Sequence, residues 1–125
     1  MDAQWIVRAE QLVKCFPGHG GSEDVCALDH PDLTLQKGCL TAMIGPDGAG
    51  KTTLMRLIVG IMVPTEGELS VLGMEVTGNE QEIQSRISYM PQKFGLYEDL
   101  TIAENMTLYA DLHGVPQEVR RTRFP

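Results

Sequence analysis

The chain has 125 residues, of which 42% are hydrophobic and 22% are charged, which is the composition of one ordinary globular domain. Its formal net charge of -7 argues against broad nucleic-acid binding and against polybasic attachment to an anionic membrane, because both need a surplus of Lys and Arg. No apolar stretch approaches the roughly 20 residues of a membrane-spanning helix, and the N-terminus lacks a signal-peptide pattern. We therefore expect a soluble protein.

Cysteine and histidine usage predicts neither a disulfide framework nor a metal site. The cysteines are Cys15, Cys26 and Cys39, an odd number with no C-x-x-C spacing, which predicts free thiols in a reducing cytosol. The three histidines are scattered without partners at ligand spacing, and we expect them on the surface or in turns.

The first predicted elements are strands. Residues 5–16 are rich in apolar and β-branched side chains, residues 17–24 form a turn-rich connector, and residues 25–38 alternate apolar and polar positions in their second half. Residues 39–45 form a short, nearly continuous apolar run, which is typical of a strand buried on both faces of a parallel sheet. The sequence thus predicts antiparallel strands within residues 5–38, followed by a strand of a parallel core sheet at residues 39–45.

Helices and strands alternate in the rest of the chain. We predict a helix after Gly50 that ends before Pro64, a strand over 66–76, a short helix over 79–86, a strand over 87–90, a helix from Thr101 and the beginning of a helix after Pro116. The predicted apolar stripe of the first helix is Leu54, Leu57, Ile58 and Ile61. Thr101 and Glu104 predict a capping box, and the stripe of that helix is Ile102, Met106, Tyr109 and Leu112.

A phosphate-binding pattern lies between the apolar run and the first helix. Gly45, Gly50, Lys51 and Thr52 match G-x-x-x-x-G-K-[ST], whose glycines let the backbone approach a ligand closely. The amides of residues 48–52 then point towards the phosphates at the positive end of the helix. Lys51 can reach the terminal phosphates, and the Thr52 hydroxyl can coordinate Mg²⁺. The candidate nucleotide contacts of this loop are Gly45, Pro46, Asp47, Gly48, Ala49, Gly50, Lys51, Thr52 and Thr53.

Two stretches resemble one protein family. "IGPDGAGKTTLMRLIVGIMVPTEGELSVLG" (44–73) and "SRISYMPQKFGLYEDLTIAENM" (85–106) are similar to the phosphate loop and the Q-loop region of the ATP-binding subunits of ABC transporters. Within that family, the sequence looks most like ATPase subunits of bacterial ABC-2-type exporters of drugs and sodium. The resemblance covers about residues 5–114. It implies an α/β P-loop fold of the ABC ATPase type, in which an antiparallel β-subdomain lies beside a parallel core sheet.

The resemblance also implies roles for further residues. Gln92 would be the Q-loop residue, contacting Mg²⁺ or the attacking water, and the alternative for Gln92 is a plain polar loop residue. Phe16 occupies the place of the aromatic residue that stacks on adenine, and the alternative is core packing. Residues 98–106 would dock the membrane-embedded subunits. Asp47 stands where many members carry Asn, and a carboxylate near phosphates is expected to weaken binding.

The family's remaining catalytic motifs do not occur in these 125 residues. They are the LSGGQ signature, the apolar strand that ends in Asp-Glu, and the switch His, for which His113 is in the wrong place. The sequence is therefore expected to be the N-terminal part of one ABC-type nucleotide-binding domain. We expect it to bind ATP weakly without turnover, since Lys51 and Gln92 are its only candidate catalytic residues.

Three functions stay open at this point. The first is an enzyme fragment of an export ATPase that lies on the inner face of the cytoplasmic membrane and pairs with a second nucleotide-binding domain and membrane-embedded subunits. The second is a truncated, non-catalytic module that binds a nucleotide or a partner. The third is another P-loop NTPase, against which the absence of N-K-x-D and the long β-rich lead both argue.

Overall fold

The computed structural model describes residues 4–93 and 95–124. The strands are β1 (Trp5–Phe16), β2 (Val25–Asp29), β3 (Leu33–Gln36), β4 (Glu66–Val71) and β5 (Met74–Glu75). The helices are α1 (Lys51–Ile58), α2 (Glu80–Arg86), α3 (Ile102–Leu112) and α4 (Gln117–Arg123). The chain divides into two compact units, Met1–Tyr89 and Met90–Pro125. Among the described helices, none combines the length and the apolarity needed to cross a membrane.

The long strand β1 organises the antiparallel sheet. One edge of β1 pairs with β4, while the other edge pairs with β3 along its first half and with β2 along its second half. β5 extends the sheet through a hairpin with β4. A change of register accompanies each of the three β1 pairings, and such bulges twist and bend a strand. One strand can therefore serve three partners, and the predicted antiparallel β-subdomain is confirmed.

The core of the first unit lies between this sheet and the helices α1 and α2. It consists of Val7, Ala9, Leu12, Leu28, Leu54, Leu57, Leu69, Val71, Val76 and Ile83. The residues from β1 recur at mostly alternate positions, as expected for one buried face of a sheet. Leu54 and Leu57 form the buried stripe of α1, which confirms that part of the predicted helix face.

Two runs that were predicted as strands are not strands: residues 39–45, predicted in a parallel sheet, and residues 87–90, predicted as a further short strand. Residues 39–45 and 87–90 have no strand pairing within the described parts of the chain. Leu40 is 103% exposed and Ile44 is 94% exposed, so this run is not buried. A parallel strand needs hydrogen-bonded neighbours, and the described residues supply none to either run. The predicted parallel sheet is therefore not formed by these residues.

Element lengths differ from the prediction where glycines intervene. α1 ends at Ile58, and Gly60 adopts a φ of 71°, so Ile61 lies beyond the helix and is 55% exposed. The predicted strand over 66–76 is divided by a tight turn at Leu72 and Gly73, whose φ values are 55° and 77°. Both differences follow from backbone conformations that end a regular element.

In the second unit, the predicted apolar stripe of α3 is wrong for Ile102 and Leu112, Met106 and Tyr109 are half-buried, and the predicted capping box is confirmed. Ile102 is 83% exposed and Leu112 is 69% exposed, whereas Asn105 and Ala110 are buried. The Asn105 side chain explains the rotated face, because it receives a hydrogen bond from the Tyr97 amide and donates to three carbonyl oxygens. The preceding loop therefore packs on the Asn105 side of the helix. Phe94, in the predicted loop before this helix, lies outside the described residues.

The prediction of free thiols is wrong for two of the three cysteines. Cys15 and Cys26 are joined by a disulfide, while Cys39 is free and exposed. The two bonded residues are cross-strand partners in the β1–β2 pairing. Spacing along the sequence could not reveal this pairing, because it depends on the register of two strands joined by a turn-rich connector.

Candidate functional site

The loop between Gly45 and Lys51 has the backbone geometry that its glycines allow. Gly48 and Gly50 adopt left-handed φ values of 81° and 92°. The Ala49 amide donates to the Pro46 carbonyl over 3.3 Å, which closes a tight turn. Gly50 then serves as the N-cap of α1. The chain thus turns sharply from the loop into the start of a helix.

The start of α1 presents free backbone donors. The Leu54 amide makes the first intrahelical bond, to the Gly50 carbonyl over 2.9 Å. The amides of Lys51, Thr52 and Thr53 precede that bond, and the first amides of a helix have no intrahelical acceptor. No acidic residue lies in the first turn of α1 to compete for these donors. Together with the positive end of the helix dipole, they make an environment suited to an anion.

The Lys51 side chain folds back over the loop. Its Nζ donates to the carbonyl of Gly45 over 2.7 Å and to the carbonyl of Pro46 over 2.6 Å. An ammonium group has three donors, so one is left for a ligand oxygen. Lys51 therefore ties the two ends of the loop together and places a positive charge there.

β2 supports the loop from behind. A Cβ on Gly50 would lie 2.4 Å from the Ala27 carbonyl oxygen and 3.1 Å from a methyl group of Leu28. The loop backbone can approach β2 this closely only because residue 50 has no side chain. Sequence reasoning missed Ala27 and Leu28 as supporting residues, since nothing in the local pattern of either links it to residue 50.

The remaining loop residues differ in exposure. Thr52 is exposed on the first turn of α1, next to Lys51, and Thr53 is half-buried. A hydroxyl oxygen in this position is a chemically suitable ligand for Mg²⁺, which takes oxygen donors and retains waters. Asp47 is exposed, and its expected effect on affinity stays a prediction.

Phe16 is the last residue of β1 and is half-buried. The Lys14 ammonium lies over its ring, 5.4 Å from the ring centroid, and donates to the Val63 carbonyl over 2.9 Å. Lys14 therefore orients Phe16 through a cation–π contact. Sequence reasoning missed Lys14, although a spacing of two along a strand places both side chains on one face.

Gln92 belongs to the second unit and is exposed. Phe16 and the phosphate loop lie in the first unit. Both contact β2, because Val25 of β2 pairs with Phe16 and Ala27 of β2 lies against Gly50. A composite site that joins Gln92 to the loop remains a prediction.

The chain matches known ATP-binding proteins of transporters. A family model described as "ABC transporter" matches residues 28–124. Over 119 residues, the chain is 44% identical to the "Probable multidrug ABC transporter ATP-binding protein YbhF" of Escherichia coli (strain K12), which covers 95% of this chain and 20% of that protein. It is 43% identical over 105 residues to the ribose import ATP-binding protein RbsA of Rhodopirellula baltica, covering 82% of this chain and 19% of that protein.

Solved structures support the same assignment. The dimeric bacterial ABC transporter cassette MJ0796 superposes with a TM-score of 0.78 at 26% identity, covering 94% of this chain and 53% of that chain. The same cassette bound to ADP and Pi gives a TM-score of 0.77 at 27% identity, with the same coverage. The chain thus spans about a fifth of the length of these curated relatives and about half of these cassettes. Its predicted P-loop fold of the ABC ATPase type is confirmed, and the chain belongs to the ATP-binding domains of the ABC transporter family.

Proposed function

We propose that this chain binds ATP together with Mg²⁺ at residues 45–53 and serves as the nucleotide-binding part of an export ATPase. The observation that carries the proposal is the start of α1, where Lys51 bridges two loop carbonyls beside free backbone amides. A polyphosphate supplies the negative charge and the several acceptor oxygens that such a site can bind.

Each residue has a definite task in this proposal. The amides of the loop and the first helical turn bind the β- and γ-phosphate oxygens, and Lys51 neutralises part of their charge. Thr52 and Gln92 would hold Mg²⁺, which would offset part of the phosphate charge. Phe16 stacks on the adenine through the ring face that Lys14 does not cover.

Binding and turnover are separate in this proposal. Phosphoryl transfer depends on positioning and on stabilisation of developing charge. The 125 residues contain no LSGGQ stretch and no Asp-Glu pair after an apolar run. We therefore expect these residues alone to bind ATP weakly without hydrolysing it. Phosphate release above background that is lost on Lys51→Ala would contradict this expectation.

Export, partners and location belong to the same proposal. The 44% identity to a relative named as a multidrug ABC transporter protein supports export, although other relatives are named as importers. We propose that the full-length form pairs with a second nucleotide-binding domain, as supported by the dimeric cassette among the similar structures. Residues 98–106 would dock membrane-embedded subunits on the cytoplasmic face of the inner membrane.

Calorimetric titration with ATP, with and without Mg²⁺, tests the binding step. The unchanged chain should bind ATP, and Lys51→Ala should lose most of that affinity because the charged bridge across the loop is removed. Lys37→Ala is the matched control, since Lys37 is an exposed lysine after β3 and should bind ATP normally. Equal affinity in both variants would contradict the proposed site.

A chimera tests the export step. In the E. coli multidrug relative, the matched 119 residues are replaced by those of this chain. Efflux of a fluorescent drug from cells should persist with the chimera and disappear in its Lys51→Ala form. Efflux that is absent from a chimera which still binds ATP would argue against export by this family member.

A further inference from the structure

The disulfide Cys15–Cys26 lies next to an irregularity in the β1–β2 pairing. Lys14 pairs with Leu28 and Cys15 pairs with Cys26, so Ala27 is an extra residue on β2 without a partner on β1. This is a β-bulge, a feature that redirects the backbone groups of the residue it contains. The disulfide joins the two residues on one side of the bulge.

The bulged residue is also the one that supports the phosphate loop. The Ala27 carbonyl oxygen would lie 2.4 Å from a Cβ on Gly50. Gly50 is the N-cap of α1 and immediately precedes Lys51. Any shift of Ala27 is therefore passed directly to the backbone that presents the amides and Lys51.

The other end of the disulfide is firmly held. The Cys15 amide donates to the Thr65 hydroxyl over 3.1 Å, and the same hydroxyl donates to the Cys15 carbonyl over 3.4 Å. The disulfide consequently ties β2, a strand of five residues, to an anchored position on β1. Without it, the end of β2 is held to β1 by only a few backbone pairings.

We propose that Cys15 and Cys26 form a reversible thiol modification site whose oxidation holds Ala27 against Gly50 and thereby tightens nucleotide binding. This inference rests on the proposed ATP site. Cys26 is exposed and Cys15 is half-buried, so Cys26 is the first to react. Exposed disulfides are the ones that small thiols reduce, and small disulfides re-form, most readily.

The reaction balances with a small disulfide as oxidant. The Cys26 thiolate attacks one sulfur of that disulfide, forming a mixed disulfide and releasing one small thiol. The Cys15 thiolate then attacks the Cys26 sulfur, which forms the Cys15–Cys26 bond and releases the second small thiol. Two electrons pass from the cysteines to the oxidant, and the two protons end on the released thiols. A dithiol reverses both steps.

The test compares oxidised and reduced forms of the 125-residue protein. One sample is equilibrated with glutathione disulfide and the other with a phosphine reductant, and intact mass before and after alkylation reports which thiols are free. Calorimetry with ATP and Mg²⁺ should show at least about threefold tighter binding to the oxidised form, because a preorganised site loses less entropy on binding. Hydrogen exchange at residues 25–29 and 48–52 should be slower in that form.

Two variants separate this mechanism from other thiol effects. Cys26→Ser should bind ATP like the reduced protein under both conditions. Cys39→Ser is the matched control, because Cys39 is free and exposed, and it should keep the full response. Equal exchange at residues 48–52 in both forms, or a response that disappears with Cys39→Ser, would overturn the proposal. Slower exchange in the oxidised form without ATP binding in either form would retain the link between disulfide and loop and refute the ATP site instead.

Discussion

Gly50 faces the backbone of Ala27 so closely that a methyl group at residue 50 would lie 2.4 Å from the Ala27 carbonyl oxygen. Gly50 also has a φ of 92°, a left-handed backbone conformation that is strained for any residue with a side chain. Two separate reasons therefore require a glycine at residue 50: its left-handed backbone conformation and its close contact with β2. The loop and the antiparallel sheet meet at this contact.

Replacing Gly50 should be more harmful than replacing the other left-handed glycine of the loop. We expect Gly50→Ala to lower the free energy of unfolding by about 2–4 kcal/mol, because left-handed strain adds to a clash with backbone that cannot move away cheaply. Gly48→Ala should cost only about 1 kcal/mol, the strain alone, since a Cβ there would meet nothing within 4 Å. Urea denaturation of both variants measures the difference, and equal midpoints would show that the contact with Ala27 does not matter.

Thr52→Ala should reduce the dependence of ATP binding on Mg²⁺. The exposed Thr52 hydroxyl is the oxygen proposed to hold the metal, and methyl groups do not coordinate Mg²⁺. Affinity measured in the presence of EDTA should stay close to that of the unchanged chain, whereas the gain on adding Mg²⁺ should shrink several-fold. Thr41→Ala, an exposed threonine before the loop, should keep the full gain. If Thr52→Ala keeps the full gain in affinity on adding Mg²⁺, then Thr52 does not hold the metal.

Local patterns were enough to predict the helix that begins after Gly50, because the conformation there depends on consecutive residues. Gly48 and Gly50 adopt left-handed φ values, and Gly50 is the N-cap of the helix that starts at Lys51. The capping box of Thr101 and Glu104 was predictable for the same reason. In each case, the contacts lie within a few residues along the chain.

Contacts between distant residues were not predictable. The Cys15–Cys26 bond depends on strand register, and the support of Gly50 by Ala27 depends on a bulge within that register. Residues 39–45 show the opposite error, because their apolar pattern predicts burial that the described residues do not provide. A pattern indicates the surroundings that suit a segment, and other parts of the chain must then supply them.

Asn105 should be essential for the conformation of the loop before α3. Its side chain accepts from the Tyr97 amide over 2.9 Å and donates to the carbonyls of Tyr97, Leu100 and Thr101 over 3.0, 3.1 and 3.1 Å. Asn105→Ala removes all four bonds, leaves the Tyr97 amide and the Leu100 carbonyl without these partners, and should cost about 1–3 kcal/mol. Faster hydrogen exchange at residues 95–101 would report the loss.

Thr107→Ala on the same helix serves as the control. The Thr107 hydroxyl donates only to the Ala103 carbonyl, one turn earlier in the helix, and Thr107 is exposed. Exchange at residues 95–101 should be unaltered in this variant, because alanine favours the helix. Similar acceleration in both variants would mean that α3 as a whole, and not the Asn105 contacts, determines the order of the loop.

The capping box should make α3 sensitive to acid. Hydrogen bonds from the Thr101 amide and hydroxyl hold the pKa of Glu104 below its ordinary value of 4.5. A lowered pKa in the folded state stabilises the protein at pH values above 4.5, and this contribution is lost as the pH falls through the folded-state pKa. The stability of α3, followed by hydrogen exchange, should therefore be level near neutral pH and decline in acid.

Glu104→Gln separates the charge from the hydrogen bond. Glutamine keeps an oxygen that can accept from Thr101 but cannot ionise, so the variant should be less stable than the unchanged chain near neutral pH. The variant should also lose less stability on acidification, because acid protonates the Glu104 carboxylate and glutamine has no carboxylate to protonate. Glu98→Gln, at an exposed position before the helix, makes the same change in net charge and should leave the acid response of α3 intact. If both variants flatten the response equally, the cause is overall charge and not the hydrogen bonds at Thr101.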